Sequence, residues 1–165
     1  MLSTLLLLQS DVNISVGSPI SGVLGGAVTA FLTTLVVGAI VLAIRPEYVR
    51  QTAASFLDDL VGSLVYGVIG LVGVACITFL LVITLIGIPL AVLFVLLAYL
   101  LWAVGAAIAF FAIGERLVDR PDEPLVALAV GAGINGALVL TGIGSIVALC
   151  IGAGGFGAVV RRWLE

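Results

Sequence analysis

Three long uncharged stretches organise the chain: Ile20 to Ile44 (25 residues), Leu60 to Gly114 (55 residues) and Leu125 to Val160 (36 residues), separated by short charged clusters. A helix needs about 20 apolar residues to cross a hydrocarbon layer of roughly 30 Å. The first stretch is therefore one span and the second is two. The third, as a single helix, would be about 54 Å long, more than tilt absorbs, so it reads as two short spans. The break inside the second stretch falls at Thr84-Leu85-Ile86-Gly87-Ile88-Pro89, where Gly suits a helix end and Pro the first turn of the next helix. In the third, Thr141-Gly142-Ile143-Gly144-Ser145 supplies the break, with Ser145 as candidate N-cap. The pattern predicts an all-α membrane bundle with spans at 22–44, 61–84, 90–113, 124–140 and 145–160. Residues 1–21 form a polar stub before a single membrane domain over 22–163.

Charge orients this bundle. All six basic residues are arginines, and they follow the first, third and fifth spans: Arg45 and Arg50, Arg116 and Arg120, Arg161 and Arg162. The opposite connections carry no charge, so the positive-inside rule places the N-terminus outside and the C-terminus in the cytoplasm of a plasma-membrane protein. A four-span chain would put Arg161 and Arg162 opposite the rest. Between the first two spans, residues 46–60 read as an amphipathic helix. Val49, Ala53, Phe56, Leu57 and Leu60 recur at helical spacing, while Glu47, Arg50, Gln51 and Asp58 avoid that face. Val49, Phe56 and Leu57 are candidate docking residues for a cytoplasmic protein partner; the plainer reading rests the same face in the headgroup layer.

Composition narrows the function. With 63% of residues in the AVILMFWYC set, a further 21 glycines, 15 charged residues and a net charge of −3, the chain lacks the polar surface of a soluble enzyme or nucleic-acid binder. It has no histidine and only two cysteines, which argues against zinc clusters, haem ligation and histidine-based acid/base chemistry. No span contains an ionisable acid or base of the kind that ion-coupled transporters use. The polar groups inside the spans are hydroxyls, among them Thr29, Thr33, Thr34, Ser63 and Thr78, and the amide of Asn135. Hydroxyls can bond back to their own helix. Asn135 needs a partner and reads first as an interhelical clamp, with a solute path as the rival.

Small residues form the strongest pattern. Gly22, Gly26, Ala30, Thr34 and Gly38 repeat at every fourth position of the first span, a strip that lets another backbone approach where lipid offers no hydrophobic drive. Ser63, Gly67 and Gly70 form a similar face on the second span, Ala129, Gly133 and Ala137 on the fourth, and Ala148, Gly152 and Gly155 on the fifth. The glycines of the fifth span weaken it as an isolated helix, so its neighbours must hold it. The same run, Gly152 to Gly157, lacks the strand and the Lys-Ser/Thr of a phosphate loop. Cys76 and Cys150 read as buried small hydrophobes that could meet if the second and fifth spans touch, Trp163 as an interfacial anchor, and Trp102 as a packing residue. Met1 to Leu8 is apolar but lacks a signal peptide's basic n-region and cleavage site. Asn13-Ile14-Ser15 matches a glycosylation sequon.

A helix ending in Arg45-Pro46, the connector after it, the Ile83 to Ala91 turn and a Gly-rich hairpin ending in Arg161-Arg162 resemble a polytopic membrane module of uncharacterised function, found in prokaryotes joined to bactofilin-like, polymer-forming cytoskeletal domains. The likeness covers residues 22–163. It implies a membrane anchor for a cytoskeletal partner and carries over no catalytic residue, and this chain has no β-helical polymer domain. Arginine without lysine and an acidic balance suit a GC-rich, halophilic prokaryote such as a haloarchaeon. The expectation is therefore a non-enzymatic anchor or assembly subunit without cofactor or metal. It contacts the bilayer, a cytoplasmic protein and further copies of itself, but no nucleic acid. A small channel or facilitator for an uncharged solute is the alternative.

Overall fold

The computed structural model describes residues 19–84, 87–118 and 123–164, so the apolar N-terminal run, the Asn13 sequon and Arg120 lie outside the described residues. The described residues form six helices: α1 (Pro19–Ile44), α2 (Pro46–Asp58), α3 (Leu60–Ile83), α4 (Gly87–Leu117), α5 (Pro124–Leu140) and α6 (Ile143–Leu164). No strand occurs among the described residues. Four of these helices, α1, α3, α4 and α6, are long and apolar enough to cross a membrane, while α5 is a shorter apolar helix of 17 residues. The architecture is compatible with a membrane protein.

Helix ends follow local chemistry. Pro46 and Pro124 occupy the first turns of α2 and α5, where a missing N–H costs nothing. Asp59, the single residue between α2 and α3, caps α3 by accepting a 2.8 Å hydrogen bond from the Gly62 amide. Gly142 allows the tight turn between α5 and α6 because it adopts φ +69°, a left-handed conformation that side chains disfavour. Ser145 is not the cap of α6. Thr141 takes that role, accepting from the Gly144 amide at 3.1 Å, whereas the Ser145 hydroxyl donates to the Gly142 carbonyl. The expected bounds of α5 match; α4 and α6 run further than expected at both ends, because α4 starts at Gly87 and continues through Glu115 and Arg116.

Contacts fix the relative directions of the helices. Along α1 and α5, Gly26 meets Val139, Thr34 meets Asn135 and Gly38 meets Leu128, so these helices are antiparallel over most of α5. Gly114 of α4 lies on Ala127 and Gly131 of α5, and Gly131 lies on Phe110, again antiparallel. Trp102 and Gly105 of α4 meet Gly152 and Gly155 of α6 in the same order, so those two run parallel. On its other side α6 sets Gly157 against Ser63 and Gly67 of α3, and Phe156 against Gly70. Residues two apart on a helix point in nearly opposite directions, about 200° around the axis. Gly155 and Gly157 therefore serve opposite neighbours, and α6 is gripped between α3 and α4.

The core sits at the arginine end. Leu42 of α1, Val49, Ala53 and Phe56 of α2, Ile108 and Phe111 of α4, Leu128 of α5 and Val159 of α6 form one buried cluster. Here the structure departs from the sequence reading of the 46–60 segment. Its apolar side does not rest in headgroups; Val49 and Phe56 are 2% and 3% exposed, and the Phe56 ring lies against Gly154 of α6. Leu57 is only partly buried, and Leu60 belongs to α3. Thr52 shares the buried face, and its hydroxyl has no partner among the described residues. Packing loosens toward the other end, where Leu80, Ile83, Leu93, Leu97 and Ile146 are all exposed.

At Gly67 an added Cβ would collide with the Ala153 carbonyl, and at Gly157 with the Ser63 carbonyl. Backbone cannot rotate aside as a side chain can. Gly67→Ala and Gly157→Ala are expected to destabilise by about 1–3 kcal/mol or more. Gly133, by contrast, has open space around its Cβ position. Gly133→Ala is expected to be neutral or stabilising by up to about 1 kcal/mol. Thermal unfolding in detergent, followed by circular dichroism, checks both; equal midpoints for all three variants would show that the close crossings do not hold the bundle.

Candidate functional site

Where the helices spread apart, a cleft of about 410 Å³ opens between α1, α4, α5 and α6. Its walls bring together five hydroxyl and amide side chains of three helices. Thr29, Thr33 and Thr34 come from α1, Asn135 from α5 and Ser145 from α6, facing Tyr99, Trp102 and Phe110 of α4. No charged residue lines it. Asn135, 9% exposed, donates through Nδ2 to the Thr34 hydroxyl at 2.7 Å and, at 3.5 Å, to the Ala30 carbonyl. It therefore bridges α1 and α5. Thr29 donates instead to its own helix, to the Gly25 carbonyl at 2.8 Å.

The aromatic wall is built by helical spacing: Tyr99, Trp102, Ala103, Ala106 and Phe110 fall on one face of α4. Tyr99 and Trp102 stand 6.2 Å apart between ring centroids and are tilted by 36°. Trp102 reaches α6 across Gly152, whose absent side chain makes room for the indole. Beyond Asn135 and Phe110 the cleft stops. The space bounded by Gly38, Val41, Ile108, Phe111 and Leu128 has no room for a water molecule.

A second polar cluster forms at the arginine end. Arg161 pairs with Asp59 at 2.8 Å and lies 5.9 Å from the Tyr66 ring centroid. Arg162 lies 5.3 Å over Tyr48 and donates to Gln51, which in turn donates to Glu47 at 2.8 Å. These links fasten the end of α6 to α2 and to the start of α3. Both partners of the Arg161–Asp59 pair are substantially exposed, so the ion pair itself is weak and its role is mainly positional. The Gly62 amide, then Arg161, hold the Asp59 carboxyl below its ordinary value. Among the described residues no group of three or more His, Cys, Asp or Glu side chains is placed to hold a metal.

The structure distributes the sequence candidates unevenly. Gly26, Ala30, Thr34 and Asn135 come together at the cleft, and Gly38 packs on Leu128, but Gly22 has nothing within 4 Å. The Ala129, Gly133, Ala137 face of α5 points outward, since Ala127, Leu128, Gly131, Ala132, Asn135 and Gly136 are the buried positions. Val49 and Phe56 are buried in the core, so the pair cannot offer a docking surface while α2 stays in place. Cys76 and Cys150 are exposed free thiols rather than buried ones, although α3 and α6 pack together. Sequence reasoning missed the aromatic wall and the Asp59 cap. The acid just before the apolar run at Leu60 was the available signal for the cap.

The chain matches the family described as Domain of unknown function (DUF8173) over residues 9–165. It belongs to that family. The match carries no link to bactofilins and no indication of source. No curated protein and no solved structure matches the chain.

The depressed Asp59 carboxyl has a pH consequence. Its contribution to stability is fully present above the ordinary value of 3.8 and is lost as pH falls through the lower folded value. Asp59→Asn is expected to lower the thermal midpoint at neutral pH and to flatten the loss of stability below about pH 4. Midpoints of parent and variant at neutral and acid pH measure this. An unchanged acid slope in the variant would remove Asp59 from the account.

Proposed function

We propose that this member of the family is a five-span integral membrane protein that serves as an anchor or assembly subunit rather than as a conduit. The observation that carries the proposal is the closed core toward the arginine end, where α1, α2, α4 and α5 leave no water-sized gap beneath the cleft. A conduit needs a continuous polar route. Here the polar lining ends at Asn135, with packed Leu128 and Phe111 beyond it.

Support for five spans comes from α5. It is only 17 residues, about 26 Å, yet it lies antiparallel along residues 26–38 of α1, itself long enough to cross. Two antiparallel helices in that register share one depth. Alternation then puts Arg45, Arg50, Arg116, Arg161 and Arg162 on one side, which the positive-inside rule makes cytoplasmic. In this reading α2 is amphipathic in the sense that its apolar side seals the bundle and its other side, with Glu47, Arg50, Gln51 and Asp58, faces the cytoplasm. That outer side, not Val49 or Phe56, is the surface left for a cytoplasmic protein, such as the cytoskeletal partner that the resemblance implies. The facilitator reading is favoured by the cleft alone, and it requires the core beneath to open.

Two experiments test this proposal. In a background lacking Cys76 and Cys150, single cysteines at Gln51 and Gly142 are expected to react with an impermeant thiol reagent from opposite sides of the membrane, Gly142 from outside. Reaction of both from the same side would refute the five-span arrangement. Purified protein in liposomes is expected to give no ion current above empty vesicles, since nothing charged lines the cleft. Currents abolished by Asn135→Leu would replace the anchor reading with a pore.

A further inference from the structure

The cleft has the chemistry of a binding site for a lipid-borne molecule, and its selectivity can be argued from one atom. Both hydrogen bonds of the Asn135 side chain among the described residues run through Nδ2, leaving Oδ1 as an acceptor without a protein partner. The residue is about nine-tenths buried and lines the cleft. An amide oxygen that opens on a largely apolar cleft favours a ligand that can donate to it, because little else there can hydrogen-bond with it. The lining also carries no charge to neutralise a phosphate or carboxylate.

Geometry sets the direction of entry. Asn135 lies five residues before the end of α5, about 8 Å along the helix axis from the Thr141 turn. A molecule resting at the interface can reach that depth without leaving its leaflet. The lining includes exposed Tyr99 and Leu149, an apolar rim suited to chains rather than to water. A volume of about 410 Å³ accommodates a small polar head with its first methylenes, within the usual range for small-molecule sites.

We propose that the cleft binds a neutral, hydroxyl-bearing amphiphile, whose hydroxyl donates to Asn135 Oδ1 while its chain lies along the aromatic wall of α4 formed by Tyr99 and Trp102. This rests on the membrane-embedded reading above. Trp102 reports occupancy directly, since only Trp163, fully outside the cleft at 86% exposure, competes with its fluorescence. The full chain carrying Trp163→Phe is placed in dioleoylphosphatidylcholine vesicles containing dioleoylglycerol brominated on its chains. Two comparison lipids carry the same bromines: the O-methyl ether of that diacylglycerol, which lacks the donor, and phosphatidylcholine.

Quenching of Trp102 by the brominated diacylglycerol is expected to saturate, to be reversed by the unbrominated form, and to need roughly fivefold less lipid than the ether, the ratio that one hydrogen bond gives. Asn135→Leu should erase the difference between alcohol and ether. Because that variant also removes the α1–α5 bridge, Ala148→Phe provides an independent check by filling the cleft from α6, and it should abolish the saturable component. Quenching that rises linearly and equally for all three lipids overturns the cleft proposal and leaves the embedding intact. If brominated phosphatidylcholine causes no quenching at any level, the embedding fails and the cleft proposal falls with it.

Discussion

The bundle depends on how closely backbones approach α6. In lipid there is little to gain from hiding leucine, so helices associate through dispersion contacts that demand near contact of their axes. Gly155 against Gly105 on one side and Gly157 against Ser63 and Gly67 on the other give α6 two such crossings within one turn. Gly152 and Gly154 instead make room for side chains, the rings of Trp102 and Phe56. A sequence poor in intrinsic helix propensity is thus held helical by what surrounds it.

From this grip follows the uneven character of the molecule. Residues 152–159 of α6 are buried throughout, as are Ala107 to Ala112 on α4, whereas α3 beyond Gly70 and α4 before Ala103 present large aliphatic side chains outward. One end is a solid in the sense of a close-packed core; the other is a set of helices spaced by their own side chains. The cleft lies at the boundary between these regimes, and Asn135 stands at its floor. An amide at that point ties α1 to α5 where tight packing ends.

Much of the fold was legible in the chain. Uncharged stretches located five of the six described helices and amphipathic spacing located α2; the prolines at 46 and 124 stand at two of the starts, and Gly142 marked the final turn. Which face of each helix packs was far less legible. In helices apolar on every side, periodicity of hydrophobic residues carries no direction, and small residues occur both inside, as at Gly131, and outside, as at Gly22 and Gly133. The buried face of α2 was readable because it is the one helix whose opposite side is polar, but the sequence could not say what would cover it. The same ambiguity hid the cleft: Tyr99 and Trp102 are unremarkable among the leucines around them until α6 supplies Gly152 opposite.

The covering of α2 also bears on how the chain is assembled as it is made. Phe56 closes against Gly154, and Gln51 accepts from Arg162, 111 residues further along. Until α6 has docked, Val49, Ala53 and Phe56 lack the cover that α6 gives them. Closure of the arginine end is thereby coupled to docking of the α5–α6 hairpin, and a chain halted before α6 leaves the apolar face of α2 incompletely covered.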